Sequence, residues 1–142
     1  NTVLIRGEND DEVVDFLELG RQWGVEIRFI EFMPIEEGDR WRRDLVVTAA
    51  EIVERVAARY AVTPLPMDDP SQTACEYRVP ELGTTFGIIA SVSNPFCDNC
   101  SRIRITADGC LRTCLFSVAE TDLKRILRTG SSDSHIAAFL RE

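Results

Sequence analysis

The sequence predicts an α/β chain in two parts, βα units over residues 1–60 and a mixed α+β module over residues 61–142. Three observations carry this. A strand, a helix and a second strand follow one another ahead of Pro34, which is a βαβ pattern and implies parallel pairing. After residue 60 the texture changes to a proline-rich connector followed by short strands. Four of the five cysteines then fall between residues 97 and 114.

The elements follow in order. Residues 2–6 (TVLIR) read as a buried strand. GENDD is a polar loop, with Asp10 as the expected helix N-cap. Helical spacing puts Val13, Phe16 and Leu17 on one face, with Trp23 further along, and Gly24 serves as a C-cap. The acids of GENDDE suit the positive end of that helix. Residues 25–34 (VEIRFIEFMP) are β-branched and aromatic and read as the second strand. Residues 35–47 are polar and irregular, with Trp41 and the arginines Arg40, Arg42 and Arg43. Thr48 and Glu51 form a capping-box pattern, and Ile52, Val53, Val56 and Tyr60 give the stripe of the helix behind it.

Beyond residue 60, VTPLPMDDP reads as a connector. Residues 74–79 and 84–92 read as antiparallel strands about a turn at Pro80–Gly83. Cys75 falls within the first of these, as a packing residue. RIRIT and CLRTCL flank Ala107, Asp108 and Gly109, a strong turn signal, and so form a hairpin in which Asp108 is turn chemistry. Residues 121–129 are helical up to Gly130, and a last helix begins near Asp133. His135, the single histidine, falls on that helix as a surface residue.

Composition bounds the function. With 142 residues, 44% of them apolar and 28% charged, the chain can bury a real core. A net charge of −8 argues against general nucleic-acid binding, which depends on phosphate neutralisation. No apolar run reaches the length of a membrane span, and the start lacks the basic segment and apolar core of a signal peptide. The expected compartment is cytoplasmic, where clustered cysteines signal metal or catalysis more often than disulfides. Both ends read as cut from something longer.

The chemistry concentrates in residues 96–116, FCDNCSRIRITADGCLRTCLF. Cys97 and Cys100 are spaced to point at one metal centre, and Cys114 returns toward them on the second strand of the predicted hairpin. Three readings compete. In the first, the cysteines are small buried hydrophobes. In the second, Cys110 joins Cys97, Cys100 and Cys114 in a four-thiolate zinc site with a structural or interaction role. Residues 110 and 114 would then lie roughly 13 Å apart along a regular strand, at about 3.3 Å per residue, so a bulge or tight turn would be required. In the third and favoured reading, three thiolates hold a four-iron cluster with one iron left open. Arg102 and Arg104, two apart on one strand, project from the same face and suit phosphate oxygens beside such a cluster.

These residues resemble a known family. The cysteine spacing, the R-I-R segment, the T-A-D-G turn and the C-L-F ending are similar to the C-terminal cluster motif of the GTP 3′,8-cyclases, the molybdenum cofactor biosynthesis protein A family. NTVLIRGENDDEVVDF and VEIRFIEFMP resemble the last strands of that family's incomplete TIM-like barrel. The resemblance implies a radical S-adenosylmethionine enzyme with two [4Fe-4S] clusters. One cluster cleaves S-adenosylmethionine, and the resulting radical takes the ribose 3′ hydrogen of GTP, after which the sugar carbon attacks C8 of guanine. The product is the precursor of molybdopterin. By the same resemblance, Cys97, Cys100 and Cys114 ligate the auxiliary cluster, Arg102, Ile103 and Arg104 contact GTP, and Met33 contacts S-adenosylmethionine. The C-terminal ends of barrel strands are where such folds place ligands.

The family's C-x3-C-x2-C motif, which holds the other cluster, is absent from these 142 residues, as are most of the barrel and the paired glycines of the family's tail. The chain is therefore expected to be the C-terminal part of a longer parent, without cyclase activity of its own. A homodimeric parent is a further expectation. Cys75 and Cys110 match no family ligand. An open barrel edge is expected to be covered by another chain or to limit solubility.

Overall fold

Residues 1–35, 40–117 and 120–141 are described by a computed structural model. They form two compact units, Asn1–Cys100 and Ser101–Glu142.

In the first unit the opening apolar run extends as β1 (Thr2–Leu4) and stops where Asn9 folds back on it. The Asn9 side chain accepts from Ile5 N at 2.9 Å and donates to the Val3 carbonyl at 3.0 Å, giving the chain an alternative to the sheet ladder. The first helix, α1 (Val13–Trp23), buries Val13, Leu17 and Gly20 at helical spacing. It ends at Gly24 (φ 67°), whose left-handed conformation suits a residue without Cβ, and Val25 N closes on the Gly20 carbonyl at 2.9 Å. Strand β2 (Ile27–Glu31) follows. Helix α2 (Ala49–Ala57) begins with the expected capping box: Glu51 N donates to Thr48 Oγ1, and Glu51 Oε2 accepts from Thr48 N at 2.9 Å. Strands β3 (Thr63–Pro64), β4 (Cys75–Val79) and β5 (Thr84–Ile89) complete the unit.

The sheet order is β1-β2-β5-β4-β3. Strands β1, β2 and β5 are parallel, with Thr2 opposite Phe29 and Ile27 opposite Phe86. β4 is antiparallel to both β5 and β3. Leu4, Phe29, Phe86 and Ile88 on the sheet meet Val13 and Leu17 of α1 and Ile52 and Val56 of α2 in one buried cluster. Phe29 touches Phe16 and Phe86 edge to face, at ring-centre distances of 6.4 and 6.1 Å, and Phe86 stacks on Tyr77 at 5.3 Å. Cys75 lies in β4 opposite Ile88, as a half-buried packing residue should.

In the second unit β6 (Arg104–Ile105), β7 (Cys110–Arg112) and β8 (Thr121–Asp122) form an antiparallel sheet, followed by α3 (Leu123–Arg128) and α4 (Asp133–Phe139). Gly109 (φ 88°) turns the β6–β7 hairpin, and Thr106 Oγ1 both donates to Asp108 Oδ1 at 2.5 Å and accepts from Cys110 N at 2.9 Å. That hydroxyl contact holds the Asp108 carboxyl below its ordinary range. Ser132 caps α4 by accepting from His135 N at 3.3 Å.

Several expectations are corrected. The boundary after residue 60 falls inside the first unit, because β3, β4 and β5 belong to the sheet of β1 and β2. The physical cause is β5: Phe86 and Ile88 are fully buried, and the apolar cover they need lies beside β2, beneath the helices. The sheet is therefore mixed, the β1–β2 and β2–β5 pairs being parallel and the β4–β5 pair antiparallel, as expected for residues 74–79 and 84–92. Trp23 is 67% exposed and does not join the α1 stripe. Asp10 does not cap α1; it accepts from Gly7 N at 2.6 Å and from Arg55 at 2.8 Å, tying the loop to α2. Thr121 and Asp122 pair with β7, so the helix expected from residue 121 starts at Leu123. Part of the irregular segment 35–47 is a 3-10 turn at Arg43–Leu45, and residues 36–39 lie outside the described ones. Among the described residues no helix is long and apolar enough to cross a membrane.

Candidate functional site

Parallel strands bring their C-terminal ends to one side of a sheet, which is where open α/β folds bind ligands. In the first unit that side is formed by the ends of β1, β2 and β5. Met33 lies two residues beyond β2, half-buried, in a turn closed by Ile35 N on its carbonyl at 2.9 Å. Trp41 Nε1 donates to the neighbouring Phe32 carbonyl at 2.9 Å.

At the same strand end Glu31 is fully buried, the one charged side chain so placed among the described residues. Its Oε1 accepts from Ala49 N at 2.9 Å, and its Oε2 accepts from Val92 N and Ser93 N at 2.7 Å each. The Ser93 hydroxyl also donates to Oε1. A buried carboxylate is costly unless hydrogen-bonded, and this one is held by four donors from two separate segments. Sequence reasoning passed over Glu31 as one more residue of a strand. The available signal was its parity: Glu31 is two residues from Phe29, so it faces the core.

Cys97 and Cys100 stand at the end of the first unit. A 3-10 turn, Cys97–Asn99, carries them, with Cys100 N donating to the Cys97 carbonyl at 3.1 Å. Both residues are exposed, and neither is in a disulfide. The two cysteines thus sit at either end of one tight loop, as their spacing leads one to expect of the loop.

The other predicted residues belong to the second unit. Arg102 and Arg104 are half-buried while Ile103 and Ile105 are 59% and 63% exposed; β6 begins only at Arg104, so Arg102 precedes the strand on which both were expected. Arg104 pairs in register with Arg112, which is bound to the Glu120 carboxylate. Cys114 lies two residues past the end of β7, exposed, rather than on the return strand itself. The hairpin strand is shorter than the apolar pattern suggested.

Cys110 is differently placed. Its thiol is half-buried and donates to Asp108 Oδ2 at 3.8 Å, and Asp108, Cys110 and Glu120 bring one ligand atom each within 4.8 Å of one another. Cys114 is not in that group. Desolvation, then the charges of Asp108, Glu120 and Asp122, push the Cys110 thiol above its ordinary range. A thiol so raised stays protonated and is a poor nucleophile. Glu120 is already neutralised by Arg112, and Lys124 donates to the Asp108 carbonyl at 2.7 Å. Two cations therefore surround these acids.

A cleft of about 550 Å³ lies at the opposite, N-terminal side of the strands, bordered by Gly20, Arg21, Glu26, Arg78 and Thr85. None of the predicted site residues lines it.

A parallel-strand α/β unit ending in a two-cysteine turn, followed by a hairpin unit with arginines and a further exposed cysteine, defines a cysteine-bearing α/β protein. The family described as Molybdenum Cofactor Synthesis C matches residues 25–142. The chain belongs to that family. It is 41% identical over 136 residues to the GTP 3′,8-cyclase of Syntrophomonas wolfei, covering 96% of this chain and 42% of the relative. It is 40% identical over 142 residues to GTP 3′,8-cyclase 3 of Mycobacterium bovis, covering 99% of this chain and 37% of the relative. Against the GTP 3′,8-cyclase of Synechococcus sp. (strain CC9605) it is 41% identical over 142 residues, covering 100% of this chain and 40% of the relative. The chain thus spans about two fifths of the length of these curated relatives.

Proposed function

We propose that this chain is the C-terminal part of a radical S-adenosylmethionine GTP 3′,8-cyclase, the enzyme that converts GTP to (8S)-3′,8-cyclo-7,8-dihydroguanosine 5′-triphosphate for molybdopterin synthesis. In this reading it contributes the auxiliary [4Fe-4S] cluster site and the GTP site. The observation that carries the reading is the Cys97–Cys100 turn, which holds two exposed, unbridged thiols on one short loop, in a chain about 40% identical to named cyclases.

The donor set fits an iron–sulfur cluster in kind: Cys97, Cys100 and Cys114 are exposed cysteines outside any disulfide, and thiolates select such clusters. When bound, the cluster would supply an open iron as a Lewis-acidic contact for the purine. Arg102 and Arg104 would bind the triphosphate by forked hydrogen bonds, with Ile103 between them as an apolar contact. Met33, at the C-terminal end of β2, would contact S-adenosylmethionine, and the second cluster would come from the rest of the longer protein. There β1, α1, β2 and α2 would be the last βα units of an incomplete barrel. Isolated, the chain is expected to bind GTP without cyclising it.

The test is iron and sulfide analysis with a visible spectrum, on protein purified and reconstituted without oxygen, followed by GTP titration. About four irons with equal sulfide and a broad brown absorption, lost in Cys97→Ala, support the reading. One zinc per chain with no visible absorption would replace it by a structural zinc module.

A further inference from the structure

We propose that Glu31 is a positioning residue for the cysteine turn, an inference that rests on the cluster reading above. Its carboxylate holds the backbone at Val92 and Ser93 with one oxygen and the first residue of α2, Ala49, with the other. Ser93 precedes Cys97 by four residues, and Met33 follows Glu31 by two. One buried group thus fixes the segment that delivers the cysteines to the strand end that carries Met33.

The chemistry of the pocket requires a carboxylate. Oε2 accepts from two backbone N–H groups, and Oε1 accepts from a third and from the Ser93 hydroxyl. A glutamine has the same shape but only one acceptor oxygen. Whichever way its amide turned, an NH2 would face at least one backbone N–H, leaving a buried donor without an acceptor. An aspartate would be one methylene short.

The experiment compares Glu31→Gln with Thr48→Ala in the full chain. Thr48→Ala removes the capping hydroxyl of α2 but leaves the contacts of residues 92 and 93 intact. Two quantities are read: amide hydrogen exchange at Val92 and Ser93 in metal-free protein, and the rate at which the reconstituted cluster's visible absorption decays in air. Glu31→Gln is expected to speed both by about tenfold, with Thr48→Ala near wild type in both. Unchanged exchange in Glu31→Gln overturns the proposal, as does faster exchange with unchanged cluster decay, or equal acceleration in Thr48→Ala. If Glu31→Gln does not fold, Ser93→Ala removes one of the four donors, and a shift of about twofold in the same direction in both readouts supports the proposal while none overturns it. If the unsubstituted chain takes up no iron, the cluster reading fails on its own, and unchanged exchange in the metal-free variant still separately overturns the hold on residues 92 and 93.

Discussion

The guanidinium of Arg6 lies 2.7 Å from the Glu51 carboxylate and donates from the same nitrogen to the Val46 carbonyl at 2.8 Å. The residue that leaves β1 therefore closes on the first turn of α2. Glu51 serves two neighbours at once, since its other oxygen completes the capping box with Thr48.

A pH dependence follows from that pair. The Glu51 carboxyl is pulled down from 4.5 to about 2, first by the Thr48 backbone N–H, against the opposing effect of burial, and then by Arg6. The folded state thus favours the ionised form. The associated stability is present above pH 4.5 and is lost as pH falls through about 2. Glu51→Gln should lower stability by about 1 kcal/mol at pH 7, with the gap to wild type closing across that acid window. Melting temperatures of both proteins from pH 7 to pH 2 check it. A gap that stayed constant would assign the effect to packing.

Gly20 is a packing glycine. A Cβ there would stand 2.6 Å from Ile27 Cγ1 and 2.9 Å from the Val25 carbonyl oxygen, which is backbone and cannot turn aside. Helix propensity alone would make Gly20→Ala stabilising by about 1 kcal/mol. Overpacking costs about 1–3 kcal/mol and should win. Urea denaturation should show a net loss, and a gain would mean that α1 shifts without penalty.

The two metal readings part at the cysteines. Cys97→Ala should abolish iron uptake, whereas Cys110→Ser should leave it near wild type, since the Cys110 thiol contacts Asp108 and groups with Asp108 and Glu120 rather than with the other cysteines. Iron and zinc analysis of both variants, after anaerobic reconstitution, decides between them. Metal loss in Cys110→Ser with one zinc in the wild type would select the four-thiolate zinc site.

For GTP, Arg102→Ala and Arg104→Ala should each weaken binding to the cluster-loaded chain by about tenfold or more, the scale of a charge-assisted forked contact. Arg125→Ala, an exposed arginine on α3, should bind like wild type. Calorimetric titration with GTP measures this. Equal losses in all three would reduce the effect to net charge.

Much of the local structure was legible in the residues. The Thr48–Glu51 capping box, the Gly24 stop, the Thr106–Cys110 turn and the parallel β1–α1–β2 unit all depend on groups within a few positions of one another. So does the Cys97–Cys100 turn. Strand ends were less legible: β7 stops at Arg112, and Cys114 follows it. Apolar alternation marks a strand without saying how much of it finds a partner.

The sequence by itself determined most of the element types, the family and the grouping of four cysteines between residues 97 and 114, because these reside in spacing and side-chain type. Only the tertiary structure decided that β4 and β5 extend the sheet of β1 and β2, and that the units divide at residue 100. It alone showed Glu31 holding segments 18 and 61 residues away. The physical reason is common to both. Burial of β5 and solvation of a buried carboxylate are satisfied by partners far along the chain, and no local pattern specifies which partners those are.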